Sequence, residues 1–336
     1  MVDRHSHSFL SAATLALCLV LLPGCTQAGI VDPGGPPGGS SPERLEWCGM
    51  LELPDHMPDG QPLGGLSALA FDQQSHLLYM LSDRGHLYRT RPRFDDQQQL
   101  THLELLGSAP LLDHRGRPLE MPQADSESMV LIKGKQGETQ LLIGFERQHR
   151  LQRFTLEGEP VGEPLQLSAL DGAQNNGSLE ALANHPVHGL IGGLEFASKG
   201  MNDNESRLFD LDGHQWRWQR SSADSGLTAM APLGDDLLML ERNFKIGRPL
   251  IISLRRARLS RATPDGVVPG DTLARLVSDD GWRLDNFEGL TRIASQRYLM
   301  VSDDNFSWLQ RSLLGCFNVP ESAQQPRQWP ADVNQE

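Results

Sequence analysis

The sequence predicts an all-β fold and, within that class, a β-propeller of five blades, or six if one blade is degenerate. The chain of 336 residues holds 33 glycines and 22 prolines, and it lacks long apolar runs with helical periodicity. A sequence pattern also recurs about every 50 to 60 residues, within the range of propeller blades. Turn-rich composition and a blade-length repeat together favour a propeller.

Each repeat begins with a short strand-like segment, and a more apolar segment follows about ten to fifteen residues later. One or two further strand candidates come next, so each repeat has the strand content of a four-stranded blade. The opening segments are residues 65–69, 125–129, 177–182, 226–230 and 286–290, and a sixth repeat would have to lie within residues 203–225.

The two ends of the repeat region are expected to close the ring. Residues 45–53 precede the first repeat and can add an outer strand to the last blade, whose final strand is the segment SLLGCF. This arrangement places Cys48 and Cys316 on neighbouring strands, where we predict a disulfide; two free buried thiols are the alternative. By the chain-entropy estimate such a bond stabilises the fold by on the order of 4 to 5 kcal/mol. We assign the propeller domain to residues 45–318 and a disordered tail to residues 319–336.

The N-terminal residues resemble the export signal of a bacterial lipoprotein. Residues 9–22 are apolar but too short to span a bilayer comfortably, and the sequence LPGC that ends at Cys25 resembles the lipobox. We predict a signal peptide in residues 1–24, lipidation of Cys25, and a flexible linker rich in Gly, Pro and Ser in residues 25–44. An ordinary secretory signal that is cleaved slightly later is the alternative. Because Thr26 is not the Asp that favours inner-membrane retention, we expect a lipid-anchored envelope protein in the outer membrane, facing the periplasm.

The charge balance limits the partners. The chain has 30 Lys and Arg residues against 43 Asp and Glu residues, which gives a formal charge of -13 at pH 7. No global positive field can attract a polyanion, so nucleic acid is not expected as a partner. A small phosphate-bearing substrate would have to be held by local arginines or through a metal ion. We expect a monomer that meets the membrane through its N-terminal lipid anchor.

Acidic residues recur at two places in the repeat. The second segments end in an acid, and in three repeats an arginine follows. The opening segments contribute three glutamates, with Ser67 and Thr228 at the matching places of the other two repeats. Because equivalent strands of successive blades surround one axis, these side chains are expected to converge on one mouth of the central channel. The set consists of Asp83, Glu146, Glu195, Glu241, Asp303 and Asp304, of Glu127, Glu180 and Glu288, and of Arg84, Arg147 and Arg242.

A ring of carboxylates repels itself unless arginines or divalent cations neutralise it, and calcium accepts six to eight oxygen ligands in loose geometry. Carboxylates, cations and arginines are also what metal-assisted hydrolysis of phosphoric esters requires. This interpretation assigns catalysis to Glu127, Glu180, Glu288, Arg84, Arg147 and Arg242, and a divalent cation, calcium, to Asp83, Glu146, Glu195, Glu241, Asp303 and Asp304.

The alternative is a propeller without catalysis that binds a ligand or a protein partner in the periplasm. Its acids and arginines would then link neighbouring blades. Links of this kind pair every carboxylate with a cation, whereas a catalytic site leaves several carboxylates without one. The motifs of serine α/β-hydrolases, P-loop proteins and HExxH zinc enzymes are absent from the sequence.

Several ordered segments resemble the phytase-like family, described as having esterase-like activity of phytase, which occurs in secreted and lipid-anchored bacterial proteins. They are GLSALAFDQQSHLLYMLSDRG, ADSESMVL, GSLEALANHP, LLMLERNF, and NFEGLTRI followed by YLMVSDDN. The resemblance spans residues 64–316 and implies a propeller, phosphoesterase or phosphodiesterase activity and a calcium requirement. The sequence departs from the family pattern at Ser67, Thr228 and Phe196, which predicts a lopsided site.

Overall fold

The computed structural model describes residues 27–36, 44–174 and 176–320. The predicted signal peptide, the lipidation site Cys25 and residues 321–336 of the predicted tail lie outside the described residues. Val319 and Pro320 are described, and Val319 is buried in the core. None of the helices in the described ranges is long and apolar enough to cross a membrane.

The described residues form five antiparallel sheets arranged as the blades of a propeller, which confirms the predicted fold. Two strands precede the first blade, β1 (Gly29–Ile30) and β2 (Glu46–Glu52). Blade one contains β3 (Leu66–Asp72), β4 (Leu77–Ser82), β5 (His86–Phe94) and β6 (Leu100–Pro110). Blade two contains β7 (Ser126–Lys133), β8 (Thr139–Phe145), β9 (Arg150–Phe154) and β10 (Pro160–Leu165).

The third blade explains why the number of blades is five and not six. It contains β11 (Leu179–His185), β12 (Gly189–Leu194), β13 (Glu205–Asp210) and β14 (Gln215–Gln219). The last two of these strands account for residues 203–225, the segment in which the sequence left room for a sixth repeat.

Blades four and five complete the ring. Blade four contains β15 (Ser225–Leu233), β16 (Asp236–Asn243), β17 (Ile251–Ala257) and β19 (Gly270–Val277). Between the last two in sequence, the short strand β18 (Val267–Val268) leaves this blade and pairs parallel to β14 at the edge of blade three. Blade five contains β20 (Asn286–Arg292), β21 (Arg297–Asp303) and β22 (Leu313–Asn318), joined by β2 and β1. Three short 3₁₀ turns lie at Ser168–Leu170, Leu259–Arg261 and Ser278–Asp280.

The ring closes as the sequence predicts. Strand β2 pairs antiparallel with β22, so the N-terminal segment supplies an outer strand to the last blade. Cys48 and Cys316 form a disulfide between these two strands and join positions 268 residues apart in the sequence. Both half-cystines are buried within the same apolar cluster.

The segment predicted as a flexible linker differs from that expectation in part. Residues 27–36 lie along the outer edge of blade five, where β1 pairs with β2. Gly35 donates a backbone hydrogen bond to Gly281, and Val31 packs against the core that includes Trp282. The backbone bonds of β1 and these contacts outweigh the loose composition of the segment.

The first strands of the five blades, β3, β7, β11, β15 and β20, surround the central axis. Each contributes one buried apolar side chain at the same level, and these five side chains close the channel towards one mouth. They are Leu69, Met129, Leu182, Met230 and Leu290. The polar side chains lie towards the opposite mouth.

Candidate functional site

Every inner strand carries a β-bulge at the same place. The antiparallel register with the second strand of the blade shifts by one residue at each of them. A bulge adds an unpaired residue and re-aims its side chain. The five residues at the bulges are Ser67, Glu127, Glu180, Thr228 and Glu288, the set that the sequence repeat aligned.

Two of these five residues link blades. The Ser67 hydroxyl donates to the carbonyl of Ser126 at 2.7 Å, and the Thr228 hydroxyl donates to the carbonyl of Phe287 at 3.0 Å. Each acceptor carbonyl directly precedes the bulge glutamate of the next blade. These hydroxyls therefore fix the backbone that presents Glu127 and Glu288.

The three bulge glutamates line a cavity of about 700 Å³ at this mouth of the channel. Nine carboxyl groups and two arginines among the described residues contribute to its wall. The carboxyl groups belong to Asp83, Asp125, Glu127, Glu146, Glu180, Glu195, Asp285, Glu288 and Asp303, and the arginines are Arg147 and Arg242.

Blade two contributes the densest group of acids. One carboxylate oxygen from each of Asp125, Glu127 and Glu146 lies within 4.8 Å of the others. Arg147 pairs with Asp125 at 2.6 Å from the open side. Glu146 accepts hydrogen bonds from the backbone amides of Ser178, at 3.0 Å, and Gly177 in the next blade. These amides orient Glu146 without neutralising it.

Blade four contributes a partly buried cation. Arg242 pairs through Nη1 with Glu288 at 2.7 Å and through Nη2 with Glu195 at 3.1 Å. Asn286 accepts a further bond from Arg242 and donates to Glu288 at 2.8 Å and to Asp303 at 3.3 Å. One arginine and one amide therefore hold three carboxylates from two blades.

The family model described as phytase-like, esterase-like activity of phytase, matches residues 61–306. The chain belongs to the phytase-like family. No curated protein matches the chain.

Three solved structures illustrate a more distant likeness, with TM-scores below one half. The Pan2 WD40 domain of Neurospora crassa is 12% identical to this chain, with a TM-score of 0.42. The match covers 84% of this chain and 98% of the Pan2 domain.

The other two structures are a streptogramin B lyase and U3-55K. The lyase is 9% identical to this chain, with a TM-score of 0.34. The match covers 84% of this chain and 100% of the lyase chain. U3-55K is 8% identical to this chain, with a TM-score of 0.41. The match covers 82% of this chain and 99% of the U3-55K chain.

Burial gives the acids of the phytase-like domain a strong affinity for positive charge. Removal from water raises the pKa of Glu127 and Glu180 well above the usual range, and neighbouring carboxylates raise both further. Burial likewise raises the pKa of Asp83 to about 6 and that of Asp303 to about 8. The pKa of Glu288 reaches about 7 for the same reason, although Arg242 lowers it.

Most of these carboxylates have no cationic side chain beside them. Arg147 and Arg242 pair with Asp125, Glu195 and Glu288. The other six of the nine have no Lys or Arg nitrogen within 4.0 Å among the described residues. These six are Asp83, Glu127, Glu146, Glu180, Asp285 and Asp303.

The phytase-like domain does not bring Glu241 to the cavity, because the repeat alignment is off by one residue in blade four. Glu241 pairs with Leu227, the position at which the other blades have Ser82, Phe145, Leu194 and Ser302. A shift of one residue turns a strand side chain to the opposite face. Glu241 is fully buried and pairs with Arg255 at 2.7 Å, while Arg242 takes the position that faces the cavity.

Because successive side chains of a strand point to opposite faces, Arg84 and Asp304 also do not line the cavity. Each follows a cavity-lining aspartate, Asp83 or Asp303, by one residue. Arg84 stacks on the ring of Phe306 at 3.8 Å from its centroid. Asp304 accepts backbone hydrogen bonds from Gly65 and Phe306, both at 2.9 Å. The predicted phosphate and metal roles of these two residues have no place in the cavity.

Sequence reasoning missed Asp125, Asn286 and Asp285 as cavity residues. Asp125 and Asn286 occupy the same place in the repeat, two residues before the bulge. The other blades have Gly65, Ser178 and Gly226 at that place. The sequence signal that could have identified Asp125 and Asn286 was a larger polar residue at a position where the other repeats have a small one.

Proposed function

We propose that the phytase-like domain hydrolyses phosphoric esters, phosphomonoesters or phosphodiesters, with the help of a divalent cation. The observation that carries the proposal is the set of six cavity carboxylates without a cationic side chain. Burying several acids together costs free energy that a structural role does not repay. A site that receives a cation and an anionic substrate accounts for that cost.

The residues present fit a hard divalent cation. Asp125, Glu127 and Glu146 supply oxygen ligands only, with one oxygen of each within 4.8 Å of the others. Such a set suits calcium or magnesium, and the loose arrangement favours calcium. When bound, a cation of this kind polarises a phosphoryl oxygen and lowers the pKa of water.

The chain's own residues supply the remaining chemistry. Arg242 presents a guanidinium held in place by Glu195 and Glu288, and Arg147 lies half-exposed at the open side, so both can bind non-bridging phosphate oxygens. Glu180 lines the same cavity and, in its ionised form, can accept a proton from the attacking water. In the reaction water adds to phosphorus, one phosphorus–oxygen ester bond breaks, and the alcohol leaves with a proton.

The proposal includes a location in the cell envelope. The LPGC sequence supports lipidation at Cys25 and anchoring in the bacterial envelope, at the outer membrane facing the periplasm. The disulfide between Cys48 and Cys316 agrees with an oxidising compartment.

The experiment measures hydrolysis of a generic phosphomonoester and phosphodiester after chelation and after calcium is restored. We expect turnover only with the cation, and a loss of at least about a hundredfold in Glu180→Gln. Glu241→Gln is the matched control, because it neutralises a buried acid of the neighbouring blade that lies outside the cavity. It should lower the melting temperature and leave the turnover of folded protein unchanged. No turnover by the parent chain with calcium would contradict the proposal and favour the propeller without catalysis, whereas equal turnover by Glu180→Gln and the parent chain would contradict the role of Glu180.

A further inference from the structure

The acidic cavity has an apolar side. Two loops of blades four and five border it, residues 244–250 between β16 and β17 and residues 304–312 between β21 and β22. They present four large apolar side chains, which we call the apolar rim. These are Phe244, Ile246, Trp308 and Leu309, exposed by 64, 91, 91 and 71%.

The exposed apolar side chains of the described residues are concentrated in these two loops beside the cavity. Of the nine large apolar side chains that are well exposed in the described ranges, four belong to these two loops. Phe244 and Leu309 also line the cavity, and Leu250 and Leu284 continue the apolar wall inwards. In blade one the corresponding connection is residues 83–85 and carries no such side chain. Exposed apolar patches of this kind mark contact with a partner or a membrane.

The N-terminal segment arrives at the same end of blade five. Gly29 pairs with Glu52, and Glu52 pairs with Leu313, the first residue of β22. Strand β22 begins at the end of the blade where β21 finishes at Asp303, beside the cavity. Cys25 precedes Gln27, the first described residue, by two positions, so their Cα atoms are at most about 7 Å apart. A lipid on Cys25 would therefore lie at the face that carries the cavity.

Charge near the rim also suits a lipid surface. Lys245 and Arg248 lie in the same loop as Phe244 and Ile246, and their side chains are 52 and 64% exposed. Both pair with Asp224, at 3.5 and 3.7 Å, so the three side chains together carry one net positive charge. Basic residues beside apolar and aromatic ones are typical of segments that sit among lipid headgroups. Trp308 has the amphipathic ring that favours this interface.

We propose that the apolar rim docks on a phospholipid bilayer with the cavity facing the membrane, so that the substrate is an amphiphilic phosphoric ester, its phosphate in the acidic cavity and its apolar part along the rim. The substrate class rests on the proposed hydrolysis of phosphoric esters. The orientation rests on the rim and on the path of residues 27–36.

The orientation is tested by fluorescence on the lipidated full-length chain in vesicles of phosphatidylethanolamine and phosphatidylglycerol. Ile246→Cys is labelled with a fluorophore after the native disulfide has formed, and Val187→Cys is the matched control. Val187 is 70% exposed in the turn between β11 and β12, at the opposite mouth. Spin-labelled lipid should quench the label at position 246 and not that at position 187. Equal quenching at both positions, or none at 246, would overturn the proposal, as would a rim that binds only a soluble protein.

A second arm tests the substrate class. The double variant Ile246→Ser with Trp308→Ser should lower hydrolysis of phosphatidylglycerol in vesicles by at least about tenfold, since each inserted apolar side chain contributes about that factor. Neither residue lines the cavity, so hydrolysis of a water-soluble phosphodiester should not change. An equal effect on both substrates, or on neither, contradicts the amphiphilic substrate. If neither ester is hydrolysed by the parent chain, the proposed function fails while the quenching result still decides the orientation.

Discussion

The two mouths of the central channel are built from the same five inner strands, yet they differ in charge. One mouth has nine carboxyl groups and two arginines around a cavity of about 700 Å³. The other has about 240 Å³ and, among the described residues, one charged side chain in its lining, Arg292. Between them, five buried apolar side chains separate the two ends.

The difference shows how a near-symmetric fold confines chemistry to one end. The bulges lie near the acidic mouth and re-aim one side chain per blade into the channel. Beyond the bulge the strands pair regularly, and their inward side chains pack against each other. Buried apolar side chains therefore line the channel at one end, and carboxylates without a cationic partner line it at the other.

The largest expected effect follows from removing Arg242, the partly buried cation of the acidic mouth. Arg242→Met leaves Glu195 and Glu288 without their partner, and breaking a buried pair in this way costs about 3 to 5 kcal/mol. Chemical unfolding at neutral pH without calcium measures the loss. Arg84→Met is the control, because Arg84 forms no ion pair among the described residues and stacks on Phe306, a contact of about 0.5 to 1 kcal/mol. Equal losses in the two variants would show that Arg242 does not carry the charge balance.

The next effect concerns pH. The folded-state pKa values of Glu288 at about 7 and Asp303 at about 8 exceed those of the unfolded chain. The native state therefore binds more protons above about pH 4, and the stability of the calcium-free protein falls as the pH rises towards 8, by on the order of a few kcal/mol. Melting temperatures in chelator between pH 5 and pH 8 test this trend. Calcium should flatten the curve, and a rise in stability with pH would contradict the account.

A smaller gain is expected when one unpaired acid is neutralised. Glu180→Gln removes a carboxyl whose ionised form is disfavoured in the folded state by burial and by neighbouring carboxylates. The calcium-free protein should become more stable by about 1 to 2 kcal/mol, even as activity is lost. Denaturant unfolding in chelator measures the change. Destabilisation would mean that the Glu180 carboxylate has a structural partner.

The smallest effect concerns the hydroxyl links between blades. Ser67→Ala removes the hydrogen bond to the carbonyl of Ser126 and should cost about 1 kcal/mol. Denaturant unfolding with and without calcium measures the loss, which should not depend on the cation, since Ser67 is not a cation ligand in this account. A larger loss with calcium than without it would place Ser67 in the metal site.

The fold could be read from the sequence because the repeat, the turns and the closing strand all follow from local pattern. The five bulge positions were aligned for the same reason. The site was predicted less well, since a strand side chain changes face at every residue. Both Glu241 and Arg242 were assigned to the site for that reason, and the alignment alone could not show that only Arg242 faces the cavity.

Other features depended on packing that no local pattern reveals. The sequence marks Asp125 as larger than the residue at the same place in three other blades, but only the structure shows it beside Glu127 and Glu146. Residues 27–36 have the composition of a linker, yet β1 pairs with β2 and Val31 packs against the core. Contacts with residues distant in the sequence decided both cases.

The central claim is that the acidic mouth receives a divalent cation. Calorimetric titration of calcium into the chelated protein tests it most directly, with Glu127→Gln and Glu241→Gln as a matched pair. We expect binding by the parent chain, a loss of at least about tenfold in affinity in Glu127→Gln, and unchanged affinity in folded Glu241→Gln. Absence of calcium and magnesium binding in the parent chain, or equal affinity in Glu127→Gln, would contradict the account.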